Sequence, residues 1–397
     1  NNNMHESIFH NRIRLFLILV INSIITIGIS ELYANDNAQT PTKPDSTSKF
    51  IAAPWASAST DEGIAVGFTA GISKFPNLLA YTSLQTSSKG YSSISLQAEI
   101  RNCYVKNILN ASASKAIRQL YDPFKPIPEP YASAVVNRYQ IRYSRLYQRS
   151  KNFAIGPDFK FDFSSARKIE CLENTELPWD FEWPYPKRRF DRGTSYSAGL
   201  RARYATMNPN RPLNGRIVDL SFRIGQAEDR DWKLDLDRSG EILIALARQF
   251  SHRNRFYLRF LGQFQELIPP PIQNHLGGES TLRGEPSQRD YGNTILCGRA
   301  QYHLTVLKNW DFPLNLAHRI WSIFPVWAMD VEVVSFYDIG GVVDGHWGER
   351  SDRYVKTKQG YGGGLRFVIP PELVLYFDVA KSPHGSPRFY LGVGETL

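Results

Sequence analysis

The sequence predicts an all-β fold, a transmembrane antiparallel β-barrel, and three observations lead to that prediction. Apolar and polar residues alternate in several segments of about ten residues, as they do in strands that face lipid on one side and water on the other. Turn signals separate these segments. Beyond residue 34 there is no apolar run of about 20 residues, the length that a membrane helix needs, although the sequence holds 23 Phe, 20 Tyr and 8 Trp.

The first 34 residues have the order of an export signal. Arg12 and Arg14 give it a positive start, residues 15–29 are mainly apolar, and Ala34 is a small residue that a signal peptidase accepts. We therefore expect a signal peptide that starts at Met4 and is cleaved after Ala34. The alternative is an uncleaved anchor, but the apolar run is interrupted and falls short of the roughly 20 residues of a spanning helix.

The segment after the signal is polar and rich in small residues, with little that could be buried. This composition predicts a polar linker over residues 35–60. The remaining residues, 61–397, are then expected to form a single unit, the barrel, without a separate domain in front of it.

Four segments carry the alternation from which the barrel is predicted. In each of them the apolar side chains would face lipid, and the polar residues between them would face the lumen. The residues expected to face lipid are Ile94, Leu96, Ala98 and Ile100; Phe159, Phe161 and Phe163; Val218, Leu220, Phe222 and Ile224; and Phe256, Leu258, Phe260, Gly262 and Phe264. A soluble barrel or sandwich alternates in the same way. It would, however, have to bury Glu, Lys and Arg, which is unfavourable.

Clusters of Gly, Pro, Asn and Ser lie between the alternating segments, where turns are needed. They occur at Lys89-Gly90, 123–130, 208–210, Asn214-Gly215 and 382–385. A longer stretch, 171–192, combines prolines, tryptophans and a basic cluster and predicts a long surface loop. Short turns on one side and long loops on the other are typical of membrane barrels.

The net charge of +9 would suit a nucleic acid partner, but an exported chain rarely meets one. Anionic membrane lipid is the partner that we expect instead, with no nucleic acid and no cofactor. The three cysteines, Cys103, Cys171 and Cys297, are far apart and do not have the spacing of a metal site. A disulfide between Cys103 and Cys171 stays open, because connectivity cannot be read from spacing.

Five motifs in the last third of the chain, taken in order, resemble the barrel of the BamA/TamA assembly and translocation superfamily. The first is GGESTLRG at residues 277–284, which resembles the GG…(V/L)RG(F/Y) motif of the family's long external loop. The others are the strand at 292–304, the F-x-D-x-G strand at 335–340, the glycine-rich hairpin at 360–380 and the closing strand at 389–397. The resemblance implies a sixteen-stranded barrel in a bacterial outer membrane, with ten or eleven strands before the loop and five after it. The long loop would fold into the lumen, and the periplasmic domains of longer relatives would be missing.

The resemblance also implies a loop latch made of Arg283, Gly284, Asp338 and Gln301. Arg283 offers a planar cation at the loop tip, and Asp338 offers a carboxylate on the lumen wall, so a charge-assisted pair would hold the loop. An isolated ion pair of this kind on the protein surface would contribute little to stability. In this sequence Gln301 stands where the family has a wall Glu, so Asp338 is expected to carry more of the neutralisation than its counterpart does in typical members of the family.

Two further positions depart from the family pattern. Glu285 replaces the aromatic residue after the RG pair, and Leu397 replaces a terminal Phe or Trp. Leu397 is apolar and lies on the same alternating face of the strand as Phe389. Because it replaces an aromatic residue, it implies weaker, but not absent, recognition of the last strand by an assembly machinery.

Two functions compete at this point. In the first, the barrel inserts or translocates protein clients through a lateral seam between the first strand, near residues 63–73, and the last strand. Phe389, Gly392, Gly394 and Leu397 would form that seam, since glycine weakens a strand interior and an open edge can pair with an incoming strand. In the second, the barrel is a passive pore or structural barrel plugged by its loop.

An enzyme is the poorest interpretation. Ser280 lies in GGEST and not in a G-x-S-x-G turn, and His275 is the one nearby candidate base. The sequence contains no phosphate-binding loop or dinucleotide fingerprint. We therefore expect no catalytic activity.

Overall fold

The structure is a computed structural model that describes most of the chain. The described residues are 49–60, 63–74, 78–102, 104–121, 130–171, 192–207, 214–229, 234–265, 274–286, 290–292, 294–310, 328–344, 354–369 and 373–393. The predicted signal peptide, most of the predicted linker and the long stretch 172–191 lie outside them.

The described residues form eighteen strands, separated by turns and loops. The strands are β1 (Lys49–Ser59), β2 (Gly63–Lys74), β3 (Leu78–Ser87), β4 (Ser92–Arg101), β5 (Val105–Tyr121), β6 (Pro130–Ser150), β7 (Phe153–Cys171), β8 (Arg192–Ala205), β9 (Gly215–Asp229), β10 (Leu234–Gln249), β11 (Asn254–Gln265), β12 (Asn274–Leu276), β13 (Asp290–Gly292), β14 (Thr294–Trp310), β15 (Met329–Asp344), β16 (Tyr354–Ile369), β17 (Leu373–Lys381) and β18 (Arg388–Val393).

Sixteen of these strands close into one antiparallel barrel. Each barrel strand pairs with its neighbours in the sequence, and β11 pairs with β14 because β12 and β13 pair with each other in the loop between them. Eleven barrel strands therefore precede the loop and five follow it. The predicted fold and strand number are confirmed.

The barrel begins earlier than the sequence analysis predicted. β1 covers Lys49–Ser59, within the segment assigned to the polar linker, and pairs with β2 along its whole length. The polar composition that indicated a linker in fact ends at Lys49, and Phe50 and Ile51 follow it. β1 supplies the hydrogen-bonding partner that β2 needs, because a closed barrel leaves no free edge.

The two faces of the wall differ as the alternation predicted. In β9, Leu220, Phe222 and Ile224 are exposed on the outside, whereas Ser221 and Arg223 are buried toward the lumen. The exposed apolar set continues around the barrel with Ile64, Phe68, Leu84, Ile94, Phe159, Leu200, Leu258, Phe260, Leu296, Val333, Ile339, Phe377, Phe389 and Leu391. Buried charged residues face the lumen, among them Asp158, Asp162, Arg299, Asp338, Arg366 and Asp378.

Two residues of the predicted lipid-facing set, Phe163 and Gly262, are buried. The ring centroid of Phe163 lies 5.9 Å from that of Tyr139 on the adjacent strand β6. A cross-strand aromatic contact of this kind shields part of the ring surface from the surrounding medium.

The predicted turns that fall on described residues are present. Gly90 and Gly215 adopt φ values of 78° and 125°, which glycine tolerates best. The Gly385 N–H donates to the Ser382 carbonyl at 3.3 Å and closes the turn before β18. The turns predicted within 123–130 and 208–210 lie outside the described residues, apart from Pro130 at the start of β6.

A search of the described residues found no helix long and apolar enough to cross a membrane.

Two exposed phenylalanines provide a test of the membrane-facing surface. Phe222 lies at the centre of β9, and Phe250 lies in the turn after β10. We expect Phe222→Arg to lower the free energy of unfolding by about 2–4 kcal/mol in a bilayer, and Phe250→Arg by about 0–1 kcal/mol, because the cost depends on depth. Urea titration of the heat-modifiable gel mobility measures both values. Equal tolerance of the two changes would contradict a lipid-facing β9.

Candidate functional site: a loop anchored beside the barrel seam

The loop between β11 and β14 enters the barrel as a compact turn. Its base is the β12–β13 pair, and its tip, residues 277–285, is closed by the Gly278–Leu282 bridge and by the Gly278 N–H donating to the Glu285 carbonyl at 3.1 Å. Thr281 Oγ1 fastens the same turn, since it accepts from the Gly277 N–H at 2.9 Å and donates to the Gly277 carbonyl at 3.0 Å. The tip is therefore a preformed unit.

Arg283 at this tip is fully buried and contacts Asp338 on β15 in a bidentate arrangement. Its Nε and Nη2 donate to the two carboxylate oxygens of Asp338 at 2.9 Å each, and its backbone N–H donates to the same carboxylate at 3.2 Å. The guanidinium also lies over the Phe336 ring, 3.4 Å from its centroid. Planar double hydrogen bonds of this kind are stronger and more directional than single ones.

A second carboxylate, which the sequence analysis missed, completes the arrangement. Arg283 Nη1 donates to Asp378 Oδ2 on β17 at 3.0 Å. Asp338 was expected to carry more of the neutralisation than its counterpart does in the family, but Asp378 shares it. Asp378 lies in FDVA, where it alternates with Phe377 and Val379 and therefore faces the lumen. That alternation is the signal that could have found it.

Gln301 does not contact Arg283. It lies on β14, and its Oε1 is 3.1 Å from His303 Nε2, in a separate cluster with Arg255 and Glu332. Gln301 is therefore not part of the latch. The second acid that contacts Arg283 is Asp378 on β17.

Each latch carboxylate also contacts an arginine of the wall. Asp338 accepts from Arg299 Nε at 3.2 Å, and Asp378 accepts from Arg366 at 2.6 and 2.9 Å. Arg299 reaches the loop as well, through the Glu279 carbonyl at 2.6 Å. The loop tip therefore joins an ion-pair network that extends from β14 to β17.

Burial and neighbouring charges shift the pKa values of the ionisable groups at the loop tip. Burial alone would lower the pKa of Arg283, but Asp338 and Asp378 raise it overall, so the guanidinium stays charged. Burial raises the pKa of Glu279, against the hydrogen bond from Tyr376, which lowers it. The tip thus combines one firmly held cation with an acid whose ionisation is disfavoured.

Two glycines create the space that the tip occupies. A Cβ on Gly360 of β16 would lie 1.8 Å from the Arg283 carbonyl oxygen, so the close approach needs glycine there. Gly284 has a φ of 89°, and a Cβ on it would lie 2.7 Å from the Lys381 carbonyl carbon. The RG pair of the loop therefore lies close to β16 at Gly360 and to the end of β17 at Lys381.

The tip also touches the last two strands directly. The Gly284 N–H donates to Tyr390 Oη on β18 at 3.2 Å, and Tyr376 Oη on β17 donates to the Glu279 carboxylate. A Cβ on Gly392 would lie 2.3 Å from Tyr376 Oη, so this glycine leaves room for the tyrosine. The loop is thereby attached to the strand that closes the barrel.

The closing junction, which we call the seam, lies between β1 and β18. Its described register consists of Ala58 with Leu391 and Ser59 with Tyr390, with Thr60 and Phe389 hydrogen bonded at its end. Beyond Leu391, β18 continues to pair with β17 as far as Val393 but no longer with β1. The described part of the seam is therefore much shorter than the β1–β2 junction.

The predicted seam residues are only partly described. Phe389 and Leu391 face outward, and Tyr390 and Gly392 face the lumen, whereas Gly394 and Leu397 lie outside the described residues. The partner strand was predicted near residues 63–73, but that segment is β2. β1 occupies the seam because the barrel starts within the expected linker.

The remaining candidates are placed as follows. Ser280 and His275 both line a cavity beside the loop. Cys297 is a buried free thiol that donates to the Thr281 carbonyl at 2.6 Å. Cys103 and the Cys171 side chain lie outside the described residues, and the described residues hold no metal-binding cluster.

Solved structures with a similar fold are outer-membrane barrels. CdiB from Escherichia coli matches with a TM-score of 0.55 at 12% identity, over 90% of this chain and 64% of that one. CdiB from Acinetobacter baumannii matches with 0.54 at 11% identity, over 89% and 60%. BamA from Haemophilus ducreyi, lacking POTRA domains 1–3, matches with 0.54 at 11% identity, over 89% and 71%.

The chain therefore has the BamA-like sixteen-stranded barrel fold, the fold of a bacterial outer-membrane protein. It spans about two thirds of the length of these proteins, from 60% to 71%. No protein-family model and no curated protein matches its sequence.

The latch geometry predicts a measurable coupling between Arg283 and Asp338. We expect Arg283→Met to lower the free energy of unfolding by about 3 kcal/mol, the lower end for a broken buried ion pair, because Arg299 and Arg366 still neutralise the two acids. A double-mutant cycle with Asp338→Asn should give a coupling energy of about 0.5–3 kcal/mol. Urea titration and protease access to the loop are the measurements.

Two controls sharpen this prediction. Arg101→Met removes an arginine whose side chain is 53% exposed beside Glu99, and it should cost about 0–1 kcal/mol. The charge swap Arg283→Asp with Asp338→Arg should recover little, because an acid at position 283 would face Asp378. Full recovery by the swap would show that Asp338 is the sole partner, and zero coupling would show that there is no latch.

Proposed function

We propose that this chain is an outer-membrane barrel that assists the insertion or translocation of protein clients by opening the β1–β18 seam. The observation that carries the proposal is the early end of pairing at the seam. β18 continues to Val393 on its β17 side, whereas its described pairing with β1 stops at Leu391.

The physical consequence of the early end of pairing is an available strand edge at Gly392 and Val393. Backbone N–H and C=O groups without partners are costly in lipid, so an edge that opens there favours pairing with another strand. An extended client segment can satisfy those groups by adding to the sheet, as in β-augmentation. At Gly392 and Val393 this exchange would not have to break any described pairing with β1.

The loop gives the seam a second constraint. Tyr390 is one of the paired seam residues, and its hydroxyl accepts from the Gly284 N–H of the loop tip. Arg283 and Glu279 hold β17, the neighbour of β18, through Asp378 and Tyr376. In this proposal the anchored loop keeps the closing strand in place, and release of the tip makes opening easier.

The alternative function is a passive or structural barrel. Its support is the position of the loop tip, which is buried against the wall at Arg283, Leu282 and Leu276. A loop held in this way obstructs the lumen, and an obstructed lumen is what a structural role requires. The experiment on the seam separates the two functions.

Locking the seam is the test. In a chain whose three cysteines are changed to serine, Ala58→Cys with Leu391→Cys puts a disulfide across a directly paired position of the seam. We expect the oxidised barrel, reconstituted in vesicles, to lose its acceleration of the folding of an unfolded barrel client into the same membrane. Reduction should restore the rate. Client folding is followed by heat-modifiable gel mobility.

A matched pair controls for the disulfide itself. Phe377→Cys with Leu391→Cys bridges β17 and β18, which stay paired in either state, so this variant should keep its activity when oxidised. Full activity of the locked seam would contradict lateral opening. Absence of any acceleration by the parent chain would favour the passive barrel.

A further inference from the structure

A polar cavity lies in the lumen on the side away from the latch. It has a volume of about 560 Å³ and lies between the loop tip and the wall formed by β4 to β7, β10 and β11. Neutral polar residues make up much of its lining: Ser95, Gln97, Asn110, Ser112, Gln140, Gln263, Ser280 and Thr281. Its volume is typical of sites that bind small molecules.

Charged residues of the same wall form an ion-pair network in which Asp158 and Glu241 are each shared by two arginines. Arg142 contacts Asp158 through two hydrogen bonds of 3.0 and 2.9 Å, and it contacts Glu241 at 2.6 Å. Arg223 contacts the same two acids at 2.6 and 2.8 Å. Asp162, another acid of this wall, binds Arg138.

Lys160 lines the cavity but has no close acid of its own. Its side chain is 10% exposed, and in the described part of the chain the nearest carboxylate oxygen is Glu241 Oε1 at 3.8 Å. That oxygen already accepts from Arg223 at 2.8 Å. A buried ammonium at this distance from a shared acid is poorly compensated.

Arg259 is the second cation of this kind on the cavity wall. Its Nη1 donates to the Ser280 carbonyl at 3.2 Å, and its buried Nε has no hydrogen-bond partner. No ion pair joins it to a described carboxylate. The cavity therefore presents two incompletely paired cations, one on β7 and one on β11.

We propose that this cavity binds an oxyanion, the phosphate or carboxylate group of a small molecule, at Lys160 and Arg259. A bound oxyanion would accept charge-assisted hydrogen bonds from both cations and relieve their poor pairing. The amides and hydroxyls of the lining would hold the remaining polar groups of the ligand. This site is independent of the seam and does not rest on the proposed function.

The test is calorimetric titration of the detergent-solubilised full chain with inorganic phosphate, against sodium chloride at equal ionic strength. We expect saturable binding at one site. Lys160→Met and Arg259→Met should each weaken it by about tenfold or more, the effect of losing one charge-assisted hydrogen bond. Neither change leaves an unpaired acid, because Glu241 keeps Arg142 and Arg223, so both variants are expected to fold.

Lys106→Met is the matched control. It removes the same charge from a lysine that contacts Glu99 at 2.8 Å and lies outside the cavity lining, and it should leave the affinity unchanged. A parallel titration with citrate distinguishes phosphate from carboxylate ligands. The absence of saturable binding of both anions, or equal binding by the parent chain and both cavity variants, would overturn the proposal.

Discussion

The burial of Arg283 is the constraint on which the arrangement of the lumen depends. A guanidinium that is fully removed from water is tolerated only if its donors are matched by acids, and the wall supplies Asp338 from β15 and Asp378 from β17. Because those strands are not adjacent, the cation fixes the loop tip against three strands at once. Gly360 on the strand between them then has to be glycine, since any side chain there would meet the loop backbone.

Two of the ion-pair systems in the lumen have different consequences. The one around Arg142, Asp158 and Arg223 lies within the wall and joins β6, β7, β9 and β10 to each other. The one around Arg283 joins the wall to the loop. Removal of the loop would therefore leave the first system intact but would separate the acids of β15 and β17 from their shared cation, close to the seam.

Much of this architecture follows from the sequence, and the exceptions have physical causes. Alternation identified the faces of β9 and β11 because the lipid face accepts only apolar side chains, whereas the lumen accepts charge. The Arg283–Asp338 contact could be anticipated from motifs that flank both residues. The alternation around Asp378 indicates that it faces the lumen, but its pairing was missed because the partner comes from a loop 95 residues away and leaves no local pattern. β1 was missed because alanine and serine, which are common in linkers, also suit a strand whose pairing is determined by its neighbours.

The seam has a consequence for how the barrel forms. Every other described junction of the barrel joins strands that are close in sequence, but Thr60 and Phe389 meet across 329 residues. Closing so long a loop has a large entropic cost, and such contacts form slowly. Closure of the seam is therefore expected to be the last event of folding. The order of assembly thus ends at the junction that joins the two ends of the chain's barrel, where described pairing with β1 stops at Leu391.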